Sequence, residues 1–410
     1  MNKRVVITGS GAVTPFGIGL PSLMKGIEDR KSAVSRMDDW DWLEGLRTRV
    51  GAKVLVSNEK EIPRKFRRSM SPMSIFAVRA ASEALEEAHI EKDELSALKA
   101  GCIVGSTTGS SIAIHDSYQK ILGKGSITEL KSTSFFKGMS HAVASNIALY
   151  FGINGLVLSP SAACASSLQA IGLGFNLIKA GQQTVLVCGG AEELHPVVAA
   201  SFDILEGTSI NFNNSPSKTP RPFDRDRDGV VCSEGAGILI LEEYEHAVKR
   251  GVPILGEIVS FATNNSNTTI SQSSVDSLVL CMNDALLNAD LKAHDIGYIN
   301  AHATGTIYGD KAEAMAIREV FQDNSYVSSL KGYFGHTLGA SGAIELAASL
   351  QMMNKSIVYP GLNLDNVDED CDNISHLKEA QKLVSDYIMK NAFAFGGINA
   401  SIIARRMSGK

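Results

Sequence analysis

The sequence predicts an α/β fold in which sheets are covered by helices. Segments with the composition of β-strands alternate with helical segments along most of the 410 residues, and this alternation is typical of α/β architecture. The two halves also follow a similar plan, because a candidate reactive residue precedes a helix in each half. We therefore expect a duplicated fold, although no repeat is visible residue by residue.

The individual elements are predicted from periodicity and end signals. Short apolar runs bounded by turn residues predict strands at 4–8, 101–105, 184–188, 237–241, 298–302 and 327–330. Apolar residues at helical spacing, with suitable ends, predict helices at 72–89, 165–180, 244–250, 310–321 and 339–353. Residues 205–221 are rich in Asn, Ser and Pro and predict a long loop, which in a compact domain is usually functional.

Composition excludes several classes of protein. The net charge of -5 argues against a nucleic-acid binder, which is normally basic. The six cysteines are scattered and contain no C-x-x-C pair, so neither a zinc site nor a disulfide framework is predicted, and a reducing cytoplasm fits best. The first apolar run is too short for a signal peptide and no run reaches 18 apolar residues. We expect no export and no membrane span.

Two motifs imitate binding sites without completing them. Residues 8–14, TGSGAVT, follow a strand as a dinucleotide-binding loop would, but Thr14 stands in place of the third glycine, so a structural turn is preferred. Residues 224–229, DRDRDG, imitate the start of a calcium loop, but Gly235 replaces the glutamate required at the twelfth position. The interleaved arginines predict an internal ion-pair belt that holds the long loop.

Cys164 is the candidate nucleophile. It follows the small-residue elbow SPSAA (residues 159–163) and precedes a predicted helix. Free N–H groups and the positive end of a helix dipole favour the thiolate there, so we expect attack on carbonyl carbon at neutral pH. The pattern alone also allows a buried, inert cysteine, which is the commonest state of this residue.

His302 and His336 are the candidate partners of this cysteine. They lie in NAHATGT (residues 300–306) and KGYFGHTLGA (residues 331–340), each at a strand-to-loop junction. Glycines in both motifs allow close backbone approach, and hydroxyl side chains supply hydrogen-bond donors. Lys331 opens the second motif, and Glu345 on the following helix could neutralise it if both are buried.

The segment NAFAFGGIN (residues 391–399) has two interpretations. As a core strand running into a turn, it needs no function. As a flexible Gly-Gly loop, it could place the ring of Phe395 over the cysteine and supply a backbone N–H to an oxyanion. The sequence alone leaves both interpretations open.

Together these motifs resemble the β-ketoacyl-acyl carrier protein synthases, specifically the synthase II type and the ketosynthase subunits of type II polyketide synthases. The match runs nearly end to end, and it includes RPFD (221–224), EGAG (234–237), GDKAE (309–313) and FGG (395–397) besides the motifs above. The resemblance implies the thiolase fold, with two similar βαβαβαββ halves stacked as five α-β-α-β-α layers and built as a dimer. The halves are residues 1–251, with the cysteine, and 252–410, with the histidines and the gate loop.

The resemblance also implies roles for the candidate residues. Cys164 would accept the acyl chain, and the backbone N–H groups of Cys164 and Phe395 would form its oxyanion hole. His302 and His336 would hold the malonyl thioester carbonyl, and the ring of Phe395 would act as a gate. Ala303 stands where the family usually has glycine, and Ile398 replaces the usual threonine after the two glycines.

Further residues would support this centre. Lys331 with Glu345 would hold its electrostatics and geometry, while Thr304 and Thr306 would bind the pantetheine arm. The residues that would line the acyl pocket are Thr108 and Phe202. The basic residues that would dock the acidic carrier protein are Lys65, Arg67 and Arg68. At position 108 elongation enzymes commonly carry a bulky apolar residue, so the threonine could admit a longer or oxygenated chain.

The implied activity is decarboxylative condensation. A Cys-bound acyl chain would be extended by two carbons from malonyl-acyl carrier protein in the cytoplasm, with no metal or organic cofactor beyond the carrier's phosphopantetheine. Fatty-acid and specialised polyketide or polyene pathways both fit. The chain could act as a homodimer or as the active half of a heterodimer with a non-catalytic chain-length factor. A thiolase would need a second cysteine near the carboxyl terminus, and an acetyl-CoA-primed synthase would place asparagine at position 336.

Overall fold

The computed structural model describes residues 2–270 and 273–407, which form 14 α-helices and 15 β-strands. The strands are β1 (Val5–Thr14), β2 (Gly17–Ile18), β3 (Ser35–Arg36), β4 (Val50–Gly51), β5 (Gly101–Gly105), β6 (Val157–Leu158), β7 (Val185–Glu192), β8 (Gly235–Glu243), β9 (Gly256–Asn265), β10 (Ile296–Asn300), β11 (Tyr326–Ser328), β12 (Ile357–Val358), β13 (Gln381–Lys382), β14 (Tyr387–Ala394) and β15 (Ile398–Arg405). The helices are α1 (Leu20–Glu28), α2 (Arg64–Arg67), α3 (Pro72–Glu87), α4 (Lys92–Ala97), α5 (Ser111–Lys124), α6 (Ser134–Lys137), α7 (Ala142–Phe151), α8 (Ser166–Lys179), α9 (Pro196–Asp203), α10 (Tyr244–Arg250), α11 (Val275–Asn288), α12 (Ile307–Phe321), α13 (Lys331–Phe334) and α14 (Ser341–Lys355).

The large sheet consists of two halves with the same strand order and directions. In the N-terminal half the order is β6-β5-β7-β8-β1, with β5 parallel to both neighbours and β8 antiparallel to both. In the C-terminal half the order is β11-β10-β14-β15-β9, with β10 parallel and β15 antiparallel to their neighbours. The predicted duplication is therefore confirmed in the topology.

Helices in three positions complete five layers. Helices α3 and α7 cover the outer face of the N-terminal half, and α11 and α12 cover the outer face of the C-terminal half. Helices α8 and α14 lie between the half-sheets and contact each other and strands of both halves. Nearly every residue of α14 is buried, which fits a helix enclosed by neighbours on all sides. The α-β-α-β-α layering implied by the resemblance is present.

The glycines near the amino terminus lie in a strand, and the turn predicted in place of a dinucleotide-binding loop comes directly after them. Strand β1 continues to Thr14, and the turn follows at residues 15 and 16. A Cβ atom on Gly9 would stand 1.9 Å from the carbonyl oxygen of Ala84, and one on Gly11 would stand 2.1 Å from that of Ala80. These glycines therefore allow α3 to approach β1 closely.

The other predicted elements are present, with ends that differ by a few residues. Residues 101–105 and 244–250 match β5 and α10 at both ends. The long loop at 205–221 contains only a short 3-10 turn. The ion-pair belt is also confirmed, because Arg221 contacts Asp224 and Asp365, and Arg227 contacts Asp368.

None of the helices in the described part of the chain combines the length and the apolarity needed to cross a membrane.

Candidate active site

Cys164 lies at a tight bend between β6 and α8. Ala163 has a left-handed backbone with φ of 46°, an unusual conformation for a residue with a side chain. Ser166 braces the bend, because its Oγ accepts a hydrogen bond from the N–H of Ala162 at 2.8 Å and donates to the carbonyl oxygen of Ala163 at 2.7 Å. The small residues of the elbow make this bend possible, and the thiol is only 5% exposed.

Three side chains far apart in sequence meet at this bend. The Nε2 atom of His336 lies 2.9 Å from Sγ of Cys164. The ring centroids of His302 and His336 are 5.3 Å apart and the rings are nearly perpendicular. One nitrogen from each histidine and the sulfur all lie within 4.8 Å of one another. The predicted nucleophile and its two predicted histidine partners therefore form one cluster.

A glycine places His336. Gly335 has a φ of 72°, and a Cβ atom there would lie 2.8 Å from the carbonyl oxygen of Val231. The same carbonyl accepts a hydrogen bond from the N–H of His336 at 2.8 Å, and the N–H of Ser233 donates to the carbonyl of His336 at 2.9 Å. The backbone on both sides of the ring is thus fixed by the loop at residues 231–233.

A buried carboxylate places His302, which follows the end of β10. The side chain of Glu313 on α12 accepts hydrogen bonds from the N–H groups of His302 and Ala303 at 2.8 and 2.7 Å. Burial raises the pKa of the Glu313 carboxyl above its ordinary value. Sequence reasoning matched Glu313 to the GDKAE motif but gave it no role, and a helical acid eleven residues after the candidate histidine was the available signal.

Burial controls the protonation of the cluster. It raises the pKa of the Cys164 thiol to about 12, although the charge of Lys331 opposes the shift. The expectation that the helix start favours the thiolate is therefore wrong, because loss of water outweighs the helix field. Burial also lowers the pKa of His302 and His336 well below the ordinary value, and the nearby lysines add to this. The resting pair is a thiol beside a neutral imidazole.

Two lysines share one glutamate below the histidines. Nζ of Lys331 lies 2.7 Å from Oε1 of Glu345, so the predicted ion pair is present. Lys390 on β14 pairs with the other oxygen of the same carboxylate. All three side chains are at most 1% exposed. Sequence reasoning missed Lys390, and its signal was a single charge inside the otherwise uncharged strand YIMKNAFA (387–394), since buried charges are almost always paired.

Phe395 lies in the turn between β14 and β15. Gly396 and Gly397 have φ values of 84° and 74°, which glycine adopts readily. The ring of Phe395 lies 5.2 Å from that of Phe202, and the backbone N–H groups of Phe395 and Cys164 both interact with the sulfur. Segment 391–399 thus contains both features predicted for it. It begins as a core strand, and the strand is followed by the Gly-Gly loop.

The remaining predicted residues lie around the cluster or on the surface. Thr304 and Thr306 are half-buried, and their hydroxyl oxygens are 3.2 Å apart. Thr108 is exposed, and its loop contacts the elbow through a hydrogen bond from Ser161 to the carbonyl of Thr107 at 2.8 Å. The basic residues on or next to α2 are exposed or half-buried, and they are Lys65, Arg67 and Arg68.

The thiol and two imidazoles are also a donor set that suits zinc. Within the described ranges, Cys164, His302 and His336 are the one such group of three. The ammonium groups of Lys331 and Lys390 act on both histidines and would oppose a divalent cation. The electrostatics of the cluster therefore favour a developing negative charge over a metal ion.

Two family models match the chain. The β-ketoacyl synthase N-terminal domain matches residues 2–247, and the C-terminal domain matches residues 255–365. A curated relative, 3-oxoacyl-[acyl-carrier-protein] synthase 1 of Haemophilus influenzae, is 32% identical over 99% of this chain and 100% of its own length. A β-ketoacyl synthase crystal structure from Burkholderia phymatum is 42% identical with a TM-score of 0.95, covering 99% of this chain and 100% of that one. The ishigamide ketosynthase/chain length factor is 25% identical with a TM-score of 0.91 and full coverage of both chains.

Proposed function

The chain belongs to the β-ketoacyl synthase family, and we propose that it condenses an acyl chain held on Cys164 with malonyl-acyl carrier protein. Family membership makes it an acyltransferase of the ketosynthase type. The observation that carries the residue assignment is the convergence of one thiol and two neutral imidazoles in a buried cluster. Each step below follows from the position of those groups.

Acylation begins with the contact between Cys164 and His336. Sγ attacks the carbonyl carbon of the incoming acyl thioester while Nε2 of His336 takes the thiol proton. The lowered pKa keeps the imidazole of His336 uncharged, so its ring nitrogen is free to accept this proton. The backbone N–H groups of Cys164 and Phe395 stabilise the oxyanion, and the carrier's thiol leaves with the proton.

Condensation uses both imidazoles as donors. The bond between the malonyl carboxylate and its α-carbon breaks, carbon dioxide leaves and the electron pair forms an enolate. N–H groups of His302 and His336 stabilise the enolate oxygen, and each donor contributes about 2.7 to 4 kcal/mol by analogy with other oxyanion donors. The enolate carbon then bonds to the acyl carbonyl carbon, the bond from that carbon to the sulfur of Cys164 breaks, and the sulfur takes up a proton from solvent.

We infer how the substrate is delivered from the basic residues on the surface of the molecule. The relative from Haemophilus influenzae carries the acyl carrier protein in its name, and we assign the same carrier to this chain. Lys65, Arg67 and Arg68 would attract its acidic surface, which raises the encounter rate more than the affinity. Thr304 and Thr306 offer hydroxyls to the pantetheine arm. The reaction as written uses no metal or further organic cofactor.

The free edge of the sheet supports assembly with a second chain. Strand β6 ends the strand order, and the apolar side chains of Val157 and Leu158 are exposed, as is Leu149 on the adjacent α7. Exposed apolar edges are normally covered by a partner. We assign this edge to dimer formation, with either a second copy or a chain-length factor. Intact-mass measurement after purification from the native host distinguishes the two, since a single mass excludes the heterodimer.

The nucleophile is tested with Cys164→Ala. This variant should lose acyl transfer and elongation with acyl- and malonyl-acyl carrier protein, yet still release carbon dioxide slowly from the malonyl substrate because both imidazoles remain. The wild type should carry an acyl mass on Cys164 after incubation with the acyl carrier alone.

The matched control is Cys102→Ala, which removes another buried cysteine from strand β5. It should retain elongation. Full elongation by Cys164→Ala would overturn the assignment, as would an acyl group found on a different residue.

A further inference from the structure

Lys390 is a fully engaged cation beside the proposed reaction centre. Besides its contact with Glu345, its Nζ donates to Oδ1 of Asn300 at 2.9 Å and to the carbonyl oxygen of Ala301 at 3.3 Å. An ammonium group has three hydrogens, so these three acceptors use them all. Two of the acceptors belong to the end of β10, directly before His302.

Lys390 also changes the charge balance of the cluster. Lys331 and Glu345 alone form an ion pair with no net charge, although the Lys331 ammonium group already acts on both imidazoles. With Lys390 protonated, the group of three carries one net positive charge, because one carboxylate serves two ammonium groups. Burial lowers the pKa of Lys390 to about 8, so it holds this charge at neutral pH and below. That charge acts on both rings, since Lys390 is among the causes that lower the pKa of His302 and of His336.

Several titratable groups surround the histidines and the thiol, and the cations among them are Lys331, which Glu345 balances, and Lys390. Apart from the rings themselves they are Cys164, Glu192 of β7, Glu313 of α12, Lys331 of α13, Glu345 of α14 and Lys390 of β14. The two further carboxyls, Glu192 and Glu313, can only add negative charge, and burial raises the pKa of both.

We propose that Lys390 is a positioning residue for the condensation: it anchors the side chain of Asn300 and the carbonyl of Ala301, directly before His302, and keeps a net positive charge beside both imidazoles, so that they stay neutral and the enolate is stabilised. This inference rests on the proposed function. A positive charge next to an imidazole opposes protonation of the ring and favours a nearby anion. Both effects serve the same step.

The test compares Lys390→Met with Lys390→Gln. Both remove the charge, whereas glutamine can still donate hydrogen bonds to Asn300 and Ala301. The release of carbon dioxide from malonyl-acyl carrier protein is followed as a function of pH. Without the charge the histidines become protonated at higher pH, so the acid limb of the profile should move upward by about one pH unit in both variants. The maximal rate should fall by about tenfold or more.

Lys355→Met is the matched control. Lys355 lies at the end of the helix that carries Glu345, pairs with Glu28 and is 46% exposed. Lys355→Met changes the net charge of the chain by the same amount, and this variant should leave the acid limb of the pH profile unchanged. A profile that shifts equally in all three variants would show a general charge effect and overturn the inference.

The remaining outcomes also decide the question. An unchanged acid limb in both Lys390 variants, or recovery of the wild-type profile by glutamine alone, would overturn the electrostatic role. If neither variant folds, Lys390 is needed for stability, and the electrostatic role is overturned as well.

Histidine-selective nuclear magnetic resonance separates this inference from the proposed function. It should show His302 and His336 titrating at higher pH in Lys390→Met than in the wild type, whether or not either protein releases carbon dioxide. A wild type that neither accepts an acyl group nor decarboxylates the malonyl substrate would contradict the proposed function. Unmoved histidine titrations would contradict the role of Lys390.

Discussion

Cys164 shows how burial competes with a local helix field. The residue lies two positions before the start of the helix at Ser166, and the sequence alone suggested an ionised sulfur. With the side chain 5% exposed, loss of hydration dominates and raises the pKa of the thiol to about 12. In the proposed reaction the nucleophile is therefore generated by proton transfer to His336 at the moment of attack, which requires the neutral imidazole as well as the sulfur.

This predicts an unusual alkylation profile for Cys164. The thiolate is the species that reacts with iodoacetamide. Its fraction should rise about tenfold per pH unit through the alkaline range, because the raised pKa of about 12 lies above that range. Time courses at several pH values, read by intact mass with Cys164→Ala to identify the site, check this. A rate that levels off near neutral pH would show a stabilised thiolate instead.

Glu345 should be the most stability-sensitive carboxylate of the site. Its replacement in Glu345→Gln leaves two ammonium groups buried without a counter-charge. Breaking such a buried arrangement typically destabilises a protein by about 3–5 kcal/mol. Urea unfolding should show that loss, whereas Glu28→Gln, which breaks the exposed pair with Lys355, should change the free energy of unfolding by less than about 1 kcal/mol. Equal losses would contradict the buried cluster.

The sequence motifs located the reacting residues but not all of their supports. Cys164, His302 and His336 stand in short motifs with glycines and hydroxyl residues, and these local patterns are visible without a structure. Lys390 stands in a strand with no such pattern. Its partners on β10 and α14 are brought to it by strand pairing and layer packing, and residue spacing does not encode those contacts.

At the level of elements, the amino-terminal strand shows that glycine in a sequence can indicate either a turn or close packing of a strand against a helix. Gly9 and Gly11 suggested a turn because glycine weakens strands. They lie in β1 because the backbone of α3 passes within 1.9 and 2.1 Å of where their Cβ atoms would be. The choice between a turn and a strand depends on helix α3, which is some 70 residues away in sequence. A local sequence pattern carries no information about that helix.

A methyl group at this contact should therefore be poorly tolerated. Gly11→Ala would force β1 and α3 apart, and overpacking of this kind typically destabilises by about 1–3 kcal/mol. Gly123→Ala on α5 is the control, since a Cβ atom there meets nothing within 4 Å and alanine favours helices by up to about 1 kcal/mol. Thermal unfolding of the two variants should shift in opposite directions, and a stabilised Gly11→Ala would contradict the close approach.

At the level of the whole molecule, the two halves share one sheet and one interior. Residues 5–7 of β1 pair with residues 256–258 of β9, and α8 and α14 are enclosed by strands of both halves. The division at residues 251 and 252 stays a prediction, and the packing continues across it. Repetition of strands and helices is visible in a sequence, whereas the pairing that joins the halves is set by long-range contacts.

The intact chain should therefore unfold in a single cooperative transition. Fragments 1–251 and 252–410, expressed separately, should each lack stable tertiary structure, because each leaves a central helix without one of its covering sheets. Circular dichroism with urea titration of each fragment, and of the two co-expressed, checks this. Independent cooperative unfolding of either fragment alone would show that the halves are autonomous.

The pairing of α8 with α14 has a consequence for how such a protein can diversify. Cys164 precedes one of these central helices by two residues, and His336 precedes the other by five. The separation of sulfur and nitrogen is thus set by the most deeply enclosed part of the molecule, whereas Thr108 is exposed and Phe202 half-buried. Mutations that alter which chain is accepted can accumulate at the periphery while the spacing of the reacting atoms is inherited unchanged.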